Sequence, residues 1–304
     1  MTPSKYPKTE EDCLNLFMKS VESRQISDKT KYGYRLGSEH CMAVLREQGM
    51  ETLPYLVGEK EINYLVFQAF ENLAIRTKRW YLCMFNKFLL FFDNLTMQKM
   101  NLSWPHDRRV HVDWLDPQQA RALLDMPMTI EEEVVIHLEL CLGLRRVEVI
   151  RLRVSDIHPN YLDVRGKGRH GGKWRSIPFP EGTYELLQRM ISARNVKVKK
   201  FREKHPNVEV PDTLFIRIKG REISPYAEKG TGFDSHFIVP LRKKAGFHFS
   251  NHTLRRTFGR QLWKNHVEIE KIAEIMGHES IDQTLQYIGV NMDDMSAAMS
   301  KLRY

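Results

Sequence analysis

Long apolar runs are missing from this chain: nowhere do about 18 uncharged apolar residues follow one another, the length a helix needs to cross a bilayer, so no membrane span is expected. Cysteine is scarce as well. The four thiols, Cys13, Cys41, Cys83 and Cys141, stand far apart inside apolar helical patterns and lack the short paired spacings of zinc or redox sites. They read as buried, reduced thiols of a cytoplasmic protein. The opening residues, Met1-Thr-Pro-Ser-Lys5, soon turn acidic and lack the pattern of a signal peptide. Internal repeats and low-complexity tracts are absent too, which argues against a solenoid or a disordered chain. Acidic residues are in deficit: 38 Asp and Glu face 47 Lys and Arg, a net charge of +9 that suits a polyanionic partner without identifying it.

What is present is helical periodicity. A length of 304 residues at 42% hydrophobic composition points to two domains. Leu14, Phe17 and Met18 recur at helical spacing, and Ser27 or Asp28 can cap a helix carrying Tyr32, Tyr34 and Leu36. Glu61 to Phe70 and the aromatic run from Trp80 to Phe92 follow, with Phe85, Phe88 and Phe92 on one stripe. That stripe reads as core, leaving Arg76, Lys78, Arg79 and Lys87 to face solvent or a polyanion. Asn101 to Asp113 has a proline, several polar residues and no sustained period, so a boundary is expected near residue 105.

Beyond it, Asp116-Pro117 signals a helix running through Leu124, and a second helix is expected from Ile130 to Cys141, interrupted at Gly143 and resumed from Arg146 to Leu152. Tyr161 to Val164 and Trp174 to Phe179 read as an antiparallel hairpin with a glycine-rich tip. Its Arg165, Lys167, Arg169, Lys173 and Arg175 form a basic cluster without a carboxylate, a candidate for phosphate contacts. Arg194 to Lys204 is a second basic run, either a polyanion contact or a solvated face. The remainder reads as short helices, one opening at His252, one over Ile269 to Met276 closed by Gly277, one started by Ser280 and Gln283 that brings up Tyr287, and one from Asp293 to Met299.

On spacing alone, His252 and Arg255 share a helical face and Arg145 projects beside the Gly143 interruption. That is a polar cluster without a unique reaction. However, Gly143-Leu-Arg-Arg-Val-Glu148, Gly166-Lys-Gly168, His252-Thr-Leu-Arg-Arg-Thr-Phe258, Met276-Gly-His278 and Tyr287, nine residues after His278, resemble in order and spacing the signatures of the tyrosine recombinases, or phage-integrase family. Residues from about 11 to 95 are similar, less specifically, to that family's helical core-binding domain.

The resemblance implies a mostly α (α+β) fold: a helical N-terminal domain and linker over residues 1–105, then a catalytic domain over 106–304 with a small antiparallel sheet and a C-terminal exchange segment. It implies that Tyr287 attacks a DNA phosphodiester to give a 3′-phosphotyrosine, that Arg145 and Arg255 clamp the phosphate, that Lys167 protonates the departing 5′ oxygen, and that His252 and His278 bond the phosphate and assist proton transfer. Arg169 and Lys173 are nearby alternatives to Lys167, since the Gly-Lys-Gly turn runs on into Arg169-His-Gly-Gly-Lys173. Glu148 is expected to orient a cation or cap local structure, and Asp156 to be structural. No cofactor and no metal are implied, because the phosphoester energy is kept in the covalent link. The implied partners are double-stranded DNA with an inverted-repeat core site and further copies of the chain, four in the synaptic complex. Met292, Met295 and Met299 would form the apolar face of the exchanged tail. Integration or excision of a mobile element is the expected role, with resolution of chromosome or plasmid dimers the alternative. A type IB topoisomerase and a catalytically silent DNA-binding protein are the remaining readings.

Overall fold

The computed structural model describes residues 6–103, 113–166, 173–289, 294, 296, 299 and 300. The chain divides into two compact units, Met1–Arg109 and Val110–Tyr304. Most of the linker expected over Asn101 to Asp113 lies outside the described residues.

The first unit is helical: α1 (Glu10–Glu22), α2 (Asp28–Glu47), α3 (Glu59–Tyr64) running into a π-helical turn (Leu65–Ala69), α4 (Ile75–Phe91) and the short α5 (Thr96–Lys99). Side-chain oxygens start the first two, Thr9 accepting from the amide of Asp12 and Ser27 from that of Thr30. Each cap satisfies an amide that the helix itself leaves without a partner. Phe85, Phe88 and Phe92 are buried as their shared stripe demands, packed with Phe17, Leu45, Ile62 and Leu65 in one apolar cluster. The thiols divide. Cys13 and Cys41 are buried, but Cys83 is exposed and Cys141 partly so, which corrects the expectation of four buried cysteines. Cys83 follows the buried Leu82 on α4 and is turned outward by the helical repeat.

The second unit opens with α6 (Pro117–Leu124), whose Asp116 and Gln119 cap each other's amides with Pro117 in the first turn. α7 (Ile130–Ile136) continues as a π-helical turn (His137–Cys141), and α8 (Arg146–Arg151) follows. β1 (Tyr161–Arg165) and β2 (Trp174–Pro178) pair antiparallel, with Val164 opposite Arg175. Then come α9 (Thr183–Lys204), β3 (Ile216–Lys219), β4 (Glu222–Pro225), α10 (Gly232–His236), α11 (Ile238–Ala245), α12 (Asn251–Lys264), α13 (Ile269–Met276) and α14 (Ile281–Ile288). Leu138, Leu144, Val149, Leu162, Ile177 and Leu254 belong to the main core, which therefore ties α8 and α12 to the first hairpin. A separate cluster of Ile272, Met276 and Ile288, with Phe258 and Tyr287 against it, joins α12, α13 and α14.

Short helices do not account for everything after the first hairpin. α9 has 22 residues, and β3 pairs antiparallel with β4 as a second hairpin. In α9 the inward stripe is Leu187, Met190, Arg194, Val198 and Phe201, so a cation interrupts the apolar repeat that would mark the helix. Val198 and Phe201 meet Ile216 and Ile223, one apolar residue from each strand, which is a thin signal for a hairpin. Arg194 itself is buried, donating through Nε to the Thr213 carbonyl at 2.9 Å and through Nη2 to that of Pro211. It belongs to the structure of the loop before β3 and not to a charged surface. Lys199, Lys200, Arg202 and Lys204 are exposed. The final helix expected from Asp293 to Met299 falls largely outside the described residues, as do Met292 and Met295, while Met299 is 66% exposed.

Substituting Arg194→Gln should lower the unfolding free energy by about 1–3 kcal/mol, because buried carbonyls lose their donor, and should leave duplex affinity unchanged. Joint neutralisation of Lys199, Lys200, Arg202 and Lys204 should do the reverse, weakening duplex binding and flattening its salt dependence. Denaturant titration beside fluorescence anisotropy over a salt series separates the two; lost affinity without lost stability in the Arg194 variant would contradict the assignment.

Candidate active site

The site begins where the π-helical turn after α7 ends. Gly143 has φ of +64°, a left-handed conformation, and a Cβ there would lie 2.2 Å from Cδ1 of Phe258 on α12. Glycine is required for both reasons. The tight turn delivers Arg145 to the N-cap of α8, where its amide donates to Glu148 Oε2 at 2.8 Å and its Nη1 to Oε1 at 2.9 Å. Glu148 thus caps the helix and orients a cation, as its spacing suggested.

More than one cation is involved. Arg175 on β2 donates Nη1 to Glu148 Oε1 and Nη2 to Oε2, both at 3.0 Å, and Arg255 on α12 brings Nη1 within 3.7 Å of Oε2. Burial alone would raise the Glu148 pKa, but the hydrogen bond and charge of Arg175, and the charges of Arg255 and Arg145, hold it at about 2. The carboxylate stays ionised, and three guanidiniums around one anion leave a surplus of positive charge.

Arg255 is 1% exposed and donates to the carbonyls of Gly143 and Met276, stitching the turn before α8 to the end of α13. Burial, then the charge of Arg145, pushes its pKa down to about 9, so it stays protonated at neutral pH. Arg145 reaches the same place through Nη2, 2.9 Å from the Gly277 carbonyl.

His278 follows at once. Its Nε2 lies 3.2 Å from Nη2 of Arg255, which can only donate, and its Nδ1 lies 2.8 Å from the Thr284 hydroxyl. The ring therefore accepts at Nε2 and carries its proton on Nδ1. Burial, then the charges of Arg255, Arg145 and Arg175, push its pKa down to about 3, so the ring is neutral.

Tyr287 sits on α14 with its ring edge-on to His278 at 5.1 Å between centroids, and the guanidiniums of Arg255 and Arg256 lie 5.7 and 5.3 Å from its ring centre. Its hydroxyl is 2.8 Å from Nδ1 of His252 in the first turn of α12. Burial raises the phenol pKa while Arg255, Arg256 and Arg145 oppose the rise. An open cavity of about 430 Å³ is lined by Arg145, Lys173, Arg175, Gly277 and His278.

The structure brings together Arg145, His252, Arg255, His278 and Tyr287 of the six residues singled out from the sequence; Lys167, like Arg169, lies outside the described residues. Lys173 is exposed on the cavity wall. Arg175, grouped above with the phosphate-contacting cations of the hairpin, is turned inward to Glu148 instead. Arg260 escaped notice altogether. It is stacked 3.9 Å from the Trp114 ring centre, donates to the carbonyls of Ile288 and Gly289 at 3.2 and 3.0 Å, and reaches both carboxylate oxygens of Asp294 at 2.9 Å. The signal available was the stripe His252, Arg256, Arg260 at fourfold spacing on one helix.

The phage integrase family model matches residues 113–294, which include every one of these groups. Among curated relatives, tyrosine recombinase XerA of Saccharolobus solfataricus is 26% identical over 191 residues, covering 63% of this chain and 57% of the relative. Tyrosine recombinase XerC of Staphylococcus epidermidis is 24% identical over 285 residues, covering 91% of each. Of the solved structures, XerH site-specific recombinase bound to palindromic difH substrate superposes over 97% of this chain and 85% of its own with a TM-score of 0.66 at 16% identity. The Tn1549 transposon integrase in complex with circular intermediate DNA does so over 96% and 99%, also with a TM-score of 0.66, at 20% identity. At those identities the superpositions speak for the fold. The family match spans well over half of the chain and contains the arginines, the histidines and the tyrosine that the fold gathers, and on that ground this chain belongs to the phage integrase family.

Proposed function

We propose that the chain is a tyrosine-type site-specific DNA recombinase in which Tyr287 cuts one strand of a duplex and holds its 3′ end. The observation that carries this reading is the Tyr287 hydroxyl, 2.8 Å from a histidine nitrogen and beside a cluster of arginines with surplus positive charge. A buried phenol with a raised pKa needs a base, and His252 Nδ1 is within reach of its proton. As the proton leaves, Tyr287 Oη bonds to phosphorus and the bond from phosphorus to the 5′ oxygen breaks. The 5′ oxygen takes a proton, for which Lys167 is the proposed donor. One phosphoester replaces another, and the 5′-hydroxyl of a second strand can reverse the step and exchange partners.

Arg145 and Arg255 are the proposed phosphate clamp, since charge grows on the non-bridging oxygens as phosphorus is attacked and preset guanidiniums meet that charge without reorganising. His278 in its neutral form is suited to hold Arg255 in place through Nε2; contact with the phosphate through a protonated Nε2 would require its other tautomer. Residues 1–105 are proposed to bind one face of an inverted-repeat core site, residues 106–304 to cut it, and four copies to synapse two sites, with the segment after Asn291 exchanged between copies. Integration or excision of a mobile element is the role we favour over dimer resolution, on the departure by which Gly166-Lys-Gly168 runs on into Arg169-His-Gly-Gly-Lys173 and on the divergent N-terminal segment. DNA flanking the coding region tests that choice: an inverted-repeat core at an element boundary supports it, and a site in a plasmid or replication-terminus region opposes it. Relaxation of supercoils by the monomer without strand exchange would favour a topoisomerase instead.

A nicked duplex selected by the wild-type chain from a randomised pool should trap a covalent protein–DNA species, and Tyr287→Phe should trap none; trapping in the variant would move the nucleophile elsewhere. With the same duplex, Arg145→Ala should lower the bound-state cleavage rate by about 100-fold or more and leave affinity nearly unaltered, because binding is spread over many phosphates. A raised dissociation constant with unchanged cleavage would remove Arg145 from the transition state. In nitrogen NMR of histidine-labelled protein, His278 should show a neutral ring protonated on Nδ1 from pH 5 to 8; a midpoint near its ordinary value of 6.5 would rule out a ring kept neutral by burial and the neighbouring arginines.

A further inference from the structure

Arg175 directs a hydrogen bond from each of its three nitrogens to an acceptor inside the site. Both of its Nη atoms lie on the two oxygens of Glu148 at 3.0 Å, and its Nε lies 2.8 Å from the Ile275 carbonyl. Each of its three nitrogens thus gives one of the fork's five N–H donors to a protein acceptor. The backbone is shaped around it. Gly277 has φ of +62°, and a Cβ there would stand 2.9 Å from Nη1 of Arg175. The same glycine gives its carbonyl to Arg145, and the preceding Met276 gives its carbonyl to Arg255.

We propose that Arg175 is a positioning residue for the phosphate-binding arginines, acting through Glu148 and the turn at Gly277 and not by touching DNA. β2 is thereby pinned to the end of α13, and both oxygens of the carboxylate that orients Arg145 are held. Each guanidinium on Glu148 comes from a different element: Arg145 from the start of α8, Arg175 from β2, Arg255 from α12. Without Arg175 the carboxylate would keep one direct partner at hydrogen-bond distance, Arg145, and could turn with it away from the site. A displacement of about 1 Å in a catalytic group can cost on the order of 100-fold in rate. The hold of Arg175 on Glu148 is also the largest of the effects that keep this buried carboxyl acidic. The inference rests on the recombinase reading, because it assigns Arg145 and Arg255 to the scissile phosphate.

The test measures single-turnover cleavage and affinity on the selected nicked duplex, with thermal melting of every variant. Arg175→Ala should slow bound-state cleavage by about 10- to 100-fold at near-constant affinity, and Arg175→Lys, which keeps the charge but not the fork, should recover part of that loss. In a Glu148→Gln background, Arg175→Ala should cost less than about threefold more, because its route of action is already gone. The pH profile adds a readout that general destabilisation would not move. Released from Arg175, the Glu148 carboxyl should titrate at higher pH than in the wild type, so cleavage by Arg175→Ala should acquire an acid limb that Glu148→Gln lacks. Additive losses, or a weaker affinity with a flatter salt slope, would overturn the proposal in favour of a phosphate contact. A lowered melting temperature with an unchanged cleavage rate below it would overturn it in favour of a merely structural role. Wild-type protein that forms no Tyr287-linked complex on any selected duplex would reject the recombinase reading itself, whereas wild-type cleavage unaffected by Arg175→Ala rejects this inference alone.

Discussion

A single buried carboxylate sets the positions of the positive charges at the centre of this molecule. Glu148 has no exposed side chain, yet it is ionised, because Arg145, Arg175 and Arg255 converge on it from three elements. Burying an ion without partners costs several kcal/mol, and removing one member of such a network leaves the others stranded. The converse holds too: three guanidiniums packed this closely repel one another, and only the carboxylate makes their approach tolerable. The cluster therefore exists as a unit, with its surplus positive charge directed to the cavity beside Gly277 and His278. A phosphate is the kind of group that completes it.

Close approach of backbone is the second requirement, and it is met at two turns. At Gly143 the chain passes under the Phe258 ring, which lets the carbonyl of Gly143 meet Arg255. At Gly277 it passes under the Arg175 guanidinium, which lets neighbouring carbonyls meet Arg145 and Arg255. In both places a side chain would separate the arginines from the acceptors that hold them. Carbonyl oxygens are good acceptors for this purpose: they orient a guanidinium without cancelling its charge.

Much of this was legible in the amino-acid sequence, and what was not has physical reasons. Caps such as Asp116 with Pro117, and the closing Gly277, are local devices, and local devices can be read from neighbouring residues. The residues of the site could be named because their order and spacing resemble those of a family; spacing alone places only His252 and Arg255 on one face. Arg175 and Arg194 were misjudged for the same reason. Each sits in a run of basic residues, and composition does not distinguish a cation that faces solvent from one that folds back on a carboxylate or a carbonyl more than 15 residues away. The second hairpin was hidden because each strand buries a single apolar residue against α9. Arg260 was hidden because its partners, Trp114 and the end of α14, are distant in sequence.

That last residue bears on how Tyr287, the proposed nucleophile, is held. α14 has eight residues, too few for a helix to persist unaided, so the direction of Tyr287 is decided by what the helix touches. Ile288 is buried against Met276, the Ser280 hydroxyl caps the first turn, and Arg260 takes the carbonyls of Ile288 and Gly289 at the last. Arg260 also contacts the Trp114 and Trp263 rings and Asp294, six residues past the end of the helix. One helix, α12, thus reaches both ends of the tyrosine's environment: His252 at the hydroxyl and Arg260 at the root of the tail, two turns apart on the same face. A guanidinium as buried as Arg260 does not readily give up a bidentate carboxylate, because the charge would remain with only carbonyls and rings for company. Any rearrangement that draws Asp294 away must therefore either supply another anion or let Arg260 move. One guanidinium thus joins Asp294 to the last turn of the helix that bears Tyr287.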